Sequence, residues 1–275
     1  MKRNGKGLIN GVNHITNTFL ELGGQRRAAL MPYYTLGYPD RDTSLEVVKA
    51  IAAAGADLIE LGIPFSDPLA DGPTIQHSTQ VALQSGTTVK GCLEMIGELR
   101  HSGVRQPLLL MGYYNPVLAY GVQSFVETAA GAGADGFIIP DLPPEEAGEM
   151  EAACSKPQLA LIYLLAPTST RQRIEQAAAR TSGFLYLVSL TGVTGARSSL
   201  PQNLESFVQH VRAHAQSPLA VGFGISNPRQ ARSVAAVADG VIVGSALIEA
   251  VRKSDEPARA AAQFTRELYE GLIAE

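Results

Sequence analysis

The sequence predicts an α/β fold closed into a (β/α)8 barrel, a TIM barrel, and three observations carry that reading. Eight short apolar runs alternate with Ala-, Glu- and Arg-rich runs of helical character along the chain. The apolar runs are continuous, as expected of parallel strands buried on both faces. A short phrase also recurs. Ala54-Gly55-Ala56-Asp57, Ala132-Gly133-Ala134-Asp135 and Ala236-Val237-Ala238-Asp239 each end a helical run and lead into an apolar one. Eight such units in 275 residues suit a barrel of this size. An open doubly wound sheet is the runner-up, and eight strands in regular alternation favour closure.

Residues 1–25 read as an N-terminal extension whose helical part, 14–22, caps the N-terminal mouth of a single domain spanning 1–275. Strands are predicted at 30–34, 58–61, 108–112, 136–139, 159–165, 184–189, 220–223 and 240–243. Helices are predicted at 43–54, 74–84, 116–130, 145–153, 170–179, 204–215 and 228–237, and 257–273 closes the chain. Two pieces exceed the strict pattern, the helical stretch 14–22 and an extra helix after strand 2 at 89–100, and a short helix at 246–251 follows strand 8. In the recurring phrase, small residues let each helix end turn tightly and the Asp precedes the next strand.

Composition excludes several classes. A net charge of −4 leaves no basic footprint for nucleic acid. No apolar run approaches the roughly 18 residues that suggest a membrane span. Lys2, Arg3 and Lys6 are not followed by the apolar core of a signal peptide. Cys92 and Cys154 give neither a disulfide framework nor a CxxC motif. They read as small buried hydrophobes in a reducing, cytoplasmic setting.

The chemistry concentrates between residues 58 and 76, LIELGIPFSDPLADGPTIQ. Glu60 stands alone in an apolar strand, where desolvation makes a carboxylate costly. Alternation puts Leu58, Glu60 and Gly62 on one face. If that face lines the barrel, Glu60 lies near the C-terminal mouth, where barrel active sites are built. The alternative is a structural ion pair with a buried Arg or Lys. Asp71 follows in a loop stiffened by Pro64, Pro68 and Pro73, which also holds Asp67. A loop Asp is otherwise a turn or cap residue. Two carboxylates so placed suggest acid/base work.

A second constellation is glycine at three strand ends: Gly192 to Gly195, Gly222-Phe223-Gly224, and Gly244-Ser245 ahead of the short helix. Amides at such turns and at a helix N-terminus bind phosphate, and the loops after strands 7 and 8 are the usual barrel site. The alternative is tight turns alone. Tyr33, Tyr34, Tyr113, Tyr114 and Tyr186 lie on or beside strands and suit a flat apolar substrate, or plain core packing.

Other signals lead nowhere. Gly131 to Gly136 matches GxGxxG but precedes a strand, so the physics of that motif is absent. His210 and His214 stand at i, i+4 without a third ligand and read as a solvated surface. All six lysines fall in the tail, on helices or near helix ends, where no Schiff base is expected. Acid/base chemistry by carboxylates is left, with the substrate as its own electron sink and no metal.

These residues resemble a known family. ELGIPFSDPLADGPTIQ (60–76), YYTLGYP (33–39), PDLPPEE (140–146), SLTGVTGAR (189–197) and GFGIS (222–226) are similar to the tryptophan synthase alpha chain, over nearly the whole chain from about Arg26. The resemblance implies a lyase that cleaves indole-3-glycerol phosphate to indole and glyceraldehyde 3-phosphate by a retro-aldol reaction. It implies that Glu60 protonates indole C3 and Asp71 binds the indole N–H. Tyr33, at a position usually Phe or Tyr, would line the indole pocket, and Tyr186 would stand near Glu60. Gly195, Phe223, Gly224, Gly244 and Ser245 would bind substrate at the phosphate turns. Thr194 would touch Asp71 when its loop closes. No cofactor is implied in this chain. The implied partner is a pyridoxal-phosphate beta chain in an α2β2 heterotetramer, faced by Asp67, Pro68, Asn115 and Pro143. Leu190-Thr191 departs from the Arg-Ala pair of some members, and the N-terminal extension is longer than the minimum.

Two competing functions use the same features. A sugar-phosphate isomerase or epimerase would share the glycine turns but need not pair Glu60 with Asp71. A non-catalytic regulatory subunit would bind phosphate and tolerate Glu60→Gln.

Overall fold

The computed structural model describes residues 11–188, 203–222 and 224–273. The elements run α1 (Gly11–Gly24), β1 (Ala29–Thr35), α2 (Arg41–Ala53), β2 (Ile59–Gly62), α3 (Pro73–Gln84), α4 (Val89–His101), β3 (Leu108–Met111), α5 (Tyr114–Tyr120) and α6 (Val122–Ala132). They continue with β4 (Gly136–Ile138), α7 (Gly148–Ser155), β5 (Ala160–Leu165), α8 (Arg171–Arg180), β6 (Leu185–Val188) and α9 (Leu204–Arg212). The last are β7 (Leu219–Gly222), α10 (Pro228–Ala235), β8 (Gly240–Val243), α11 (Ser245–Arg252) and α12 (Pro257–Ile273). The strands pair in parallel and in sequence order, and β8 returns to β1, so the sheet closes into the predicted barrel.

Strand alternation divides the core. Leu30, Ile59, Leu61, Leu110, Phe137, Leu185 and Val241 face the helices, while Ala29, Met31, Leu58, Leu109, Ile138, Ile162, Phe184 and Ile242 fill the interior. The interior layer includes three residues that no strand supplies. Ile15, Phe19 and Leu22 of α1 are buried into it, and the Phe19 ring lies 5.6 Å from that of Phe184. The predicted capping helix therefore plugs the N-terminal end. Its first residue, Gly11, packs so closely that a Cβ would fall 2.0 Å from the Asp135 carbonyl oxygen.

The recurring phrase has a common use. Each of its aspartates, at the start of an even strand, accepts the first free N–H of the strand before it: Asp57 from Leu30, Asp135 from Leu108 and Asp239 from Leu219, at 2.7–2.8 Å. Each also holds an arginine, Arg27, Arg100 and Arg212 respectively. Asp135 additionally meets His14 of α1 at 2.8 Å, which ties the plug to the barrel.

Two predicted helices are shorter than expected. The run at 116–130 is two helices, because Gly121 adopts φ 91° and ψ 115° and breaks the hydrogen-bond ladder between α5 and α6. The run at 145–153 opens with a 3-10 turn, Pro144–Glu146, before α7 begins. Cys92 and Cys154 are buried free thiols. No described helix is long and apolar enough to cross a membrane.

Candidate active site

β2 ends at the C-terminal mouth, and alternation turns Glu60 into the barrel beside interior Leu58. Glu60 is 1% exposed, and neither carboxyl oxygen has a hydrogen-bond partner among the described residues. The ion-pair alternative therefore fails. Burial, and then the charge of Asp71, push its pKa up to about 8. A neutral carboxyl is thus held at the mouth near pH 7.

Asp71 reaches the same site from the loop. Its backbone N–H bonds the Pro68 carbonyl, closing a turn, and Gly72-Pro73 then starts α3. The Gln76 side chain donates to the Asp71 carbonyl at 2.8 Å, so the backbone of Asp71 is fixed from both sides. Burial raises the Asp71 carboxyl to about 6, while a hydrogen bond from Tyr113 opposes that rise. The two acids differ in burial and partners, so one is neutral and the other ionised at the same pH.

Tyr113, the N-cap of α5, is a site residue that the sequence reading placed only among mouth aromatics. Its hydroxyl accepts from the Ala70 N–H at 2.9 Å and donates to Asp71. Its ring packs against Phe65 at 5.5 Å. It therefore clamps the loop that carries Asp71. The available signal was its position immediately past the end of β3, on the strand next to Glu60's.

Tyr33 and Tyr186 flank Glu60 from β1 and β6, both almost fully buried; burial raises the pKa of both phenols, followed by the charge of Asp71 at Tyr33 and of Glu60 at Tyr186. Their bulk explains glycines at the strand ends. A Cβ on Gly62 would lie 2.1 Å from the Tyr33 hydroxyl, on Gly222 2.9 Å from the Tyr186 hydroxyl, and on Gly244 3.3 Å from Tyr33 Cβ. So Gly222 and Gly244, read from sequence as phosphate turns, also make room for aromatic rings. Gly224 has φ 65°, a left-handed turn just past β7. Gly244 N-caps α11, whose first residue, Ser245, is 7% exposed. Helix N-terminal amides and a hydroxyl thus stand next to the turn after β7. Thr194, Gly195 and Phe223 lie outside the described residues.

The discounted signals sit elsewhere. His210 and His214 pack edge to face at 5.3 Å, in and just past α9, which leads to the start of β7. Gly133 of the GxGxxG match is the left-handed C-cap of α6, its N–H on the Ala129 and Ala130 carbonyls. No group of His, Cys, Asp and Glu suited to a metal occurs among the described residues.

A closed (β/α)8 barrel with a neutral buried acid, an ionised acid and an amide-lined rim defines a class: barrel enzymes that work by proton transfer on a phosphorylated substrate. Comparison narrows it. The family model for the tryptophan synthase alpha chain matches residues 19–272. The tryptophan synthase alpha chain of Chloroflexus aggregans is 52% identical over 259 residues, covering 94% of this chain and 97% of that protein. That of Chloroflexus aurantiacus is 52% identical over 263 residues, 95% and 99% of the two chains. A chain of Mycobacterium tuberculosis tryptophan synthase superposes with a TM-score of 0.89 at 39% identity, covering 95% and 98%. The chain belongs to the tryptophan synthase alpha chain family. Its activity is the alpha reaction of tryptophan biosynthesis, cleavage of indole-3-glycerol phosphate.

Proposed function

We propose that Glu60 and Asp71 divide the proton transfers of this retro-aldol cleavage. The observation that carries the division is Glu60 itself, a buried carboxyl without a partner and with a pKa of about 8. Neutral Glu60 delivers its proton to indole C3. The ring becomes an iminium, and the Asp71 carboxylate, ionised above about pH 6, stabilises the positive N–H. Glu60, now a carboxylate, takes the proton of the glycerol hydroxyl on the carbon bonded to C3. The C–C bond breaks, its electron pair returns to the ring, and an aldehyde forms. Indole and glyceraldehyde 3-phosphate leave, and Glu60 is neutral again. The iminium is the electron sink, so these steps call on no group beyond the two acids and the substrate.

Tyr33 and Tyr186 wall the aromatic pocket. Gly224, Gly244 and Ser245 hold the phosphate, together with Gly195 and Phe223, and Thr194 meets Asp71 from the loop after β6. We further propose a cytoplasmic enzyme that docks a beta chain carrying pyridoxal phosphate, as an α2β2 assembly, through the mouth loops. Leu69, 93% exposed beside Asp67 and Pro68, and Leu118, 49% exposed on the helix of Asn115, support an apolar contact there. Pro143 would lie on the adjoining rim.

The decisive experiment mixes the chain with indole-3-glycerol phosphate, with and without a beta chain, and follows indole. Glu60→Gln is expected to cut turnover by about a thousandfold or more while phosphate-ester binding survives. Turnover within tenfold of the parent would remove Glu60 from its role and favour the regulatory reading.

A further inference from the structure

A line of buried hydroxyls runs from α3 to the edge of the active site. Ser78 Oγ donates to the Ile75 carbonyl at 2.9 Å. Ser78 Oγ and Thr35 Oγ1 are 2.7 Å apart, and Thr35 Oγ1 and the Tyr33 hydroxyl 3.3 Å apart. Ser78 and Thr35 are fully buried and Tyr33 is 6% exposed, so bulk water does not reorder the line.

The three contacts can all be hydrogen bonds at once in only one direction. A carbonyl only accepts, so in that arrangement the single proton of Ser78 goes to Ile75. Ser78 must then accept from Thr35. Thr35 has only one proton, so it must accept from Tyr33. The phenol proton therefore points away from the barrel interior, and what Tyr33 leaves free is a lone pair. Tyr33 is paired directly with Glu60 in the β1–β2 register, on the inward face. Glu60 in turn has two oxygens without partners. A hydroxyl that can only accept favours a carboxyl that carries a proton over one that does not.

We propose that Tyr33 is a positioning residue whose hydroxyl, locked as an acceptor by Thr35 and Ser78, receives the proton of neutral Glu60 and holds that carboxyl in its acid form ahead of substrate. The inference rests on Glu60 being the acid of the reaction. The contact is not made in this structure, where neither Glu60 oxygen has a partner among the described residues, so the Glu60 side chain must turn toward Tyr33 to make it. The other titratable groups facing Glu60 are Asp71 from the loop after β2 and Tyr186 from β6, with Tyr113 behind Asp71. None of them belongs to the hydroxyl line.

The test titrates the Glu60 carboxyl directly, by 13C NMR of glutamate-labelled protein, with the resonance assigned by its loss in Glu60→Gln. Tyr33→Phe removes the acceptor, and the midpoint is expected to fall by about 0.5 to 1 pH unit. Thr35→Val keeps the shape but frees the phenol proton to turn toward the carboxylate. Its midpoint is expected to fall further than that of Tyr33→Phe, and the basic limb of the kcat/KM profile to move with it. Thr35→Ser restores the parent value. The double variant Tyr33→Phe, Thr35→Val is expected to match Tyr33→Phe alone, because without the phenol nothing remains to reverse. A Thr35→Val midpoint at or above the parent's, or a double variant displaced as far as Thr35→Val, would overturn the proposal. The titration reads the carboxyl whether or not Glu60 is catalytic. Loss of the Glu60 assignment shows separately, as turnover retained in Glu60→Gln.

Discussion

Glu60 and Tyr113 illustrate how much a single side chain's surroundings decide. In water the two acids of this site would titrate within a unit of each other. Here burial and neighbours spread them to about 8 for Glu60 and about 6 for Asp71. The hydrogen bond from Tyr113 opposes the rise that burial imposes on Asp71. Tyr113→Phe should let the Asp71 carboxyl rise, because that bond is stronger to the ionised form than to the neutral one. The acid limb of kcat/KM should move to higher pH, and activity near pH 7 should fall by about tenfold to a hundredfold. A uniform loss with an unmoved limb would mean that Tyr113 only braces Ala70. The acids themselves were legible in the sequence, since a lone Glu in an apolar strand is conspicuous. Tyr113 was not, because its partner lies 42 residues away (113 − 71) and meets it only across adjacent strand ends.

Elements show a division between the two ends of the barrel. At the N-terminal end, three aspartates hold three arginines and three strand amides, and α1 seals the opening. At the C-terminal end, glycines give way to tyrosines, and the Glu60 carboxyl has no partner among the described residues. The first end is built for stability. Asp135 is the most committed of its three acids, meeting Leu108, Arg100 and His14 with its side chain only 8% exposed. Asp135→Asn takes the carboxylate from the Arg100 guanidinium, which keeps only the Gly133, Val104 and Gln106 carbonyls, and should cost about 3 kcal/mol in urea unfolding. Asp239 and Arg212 are 39% and 45% exposed, so Asp239→Asn should cost about 1 kcal/mol or less. Equal losses would show that the amide contacts, not the ion pairs, carry the device. The repeat was visible in the sequence as a phrase ending in Asp, but the arginines were not, since Arg27, Arg100 and Arg212 follow no common spacing to it. Helix ends were harder to read, and the break inside the run predicted as one helix at 116–130 was missed. Gly121 breaks a run whose composition is otherwise continuous.

For the whole molecule, the active site is a stability cost that depends on pH. Glu60 has a folded value of about 8 against about 4.5 unfolded, so between these the folded state holds a proton that the unfolded state has lost. Stability then falls as pH rises through that window, and the loss is complete above pH 8. Asp71 adds the same sign over the narrower range from about 4 to about 6. Glu60→Gln removes the larger share. It should match the parent near pH 4.5 and exceed it by a few kcal/mol, on the order of 3 to 5, at pH 8.5. Parallel stability curves for the two proteins would show that Glu60 is solvated in solution.

The sequence by itself determined the barrel, because a strand's burial on both faces and a helix's turn length are written in local pattern. It also named the two acids and the strand ends where chemistry would lie. The tertiary structure alone decided which groups meet them. Closure of the sheet brings β1, β3 and β6 to bear on Glu60 and Asp71, and fixes whether an acid finds a cation, a hydroxyl or nothing. Those encounters join residues with no common period, so the folded barrel had to set them.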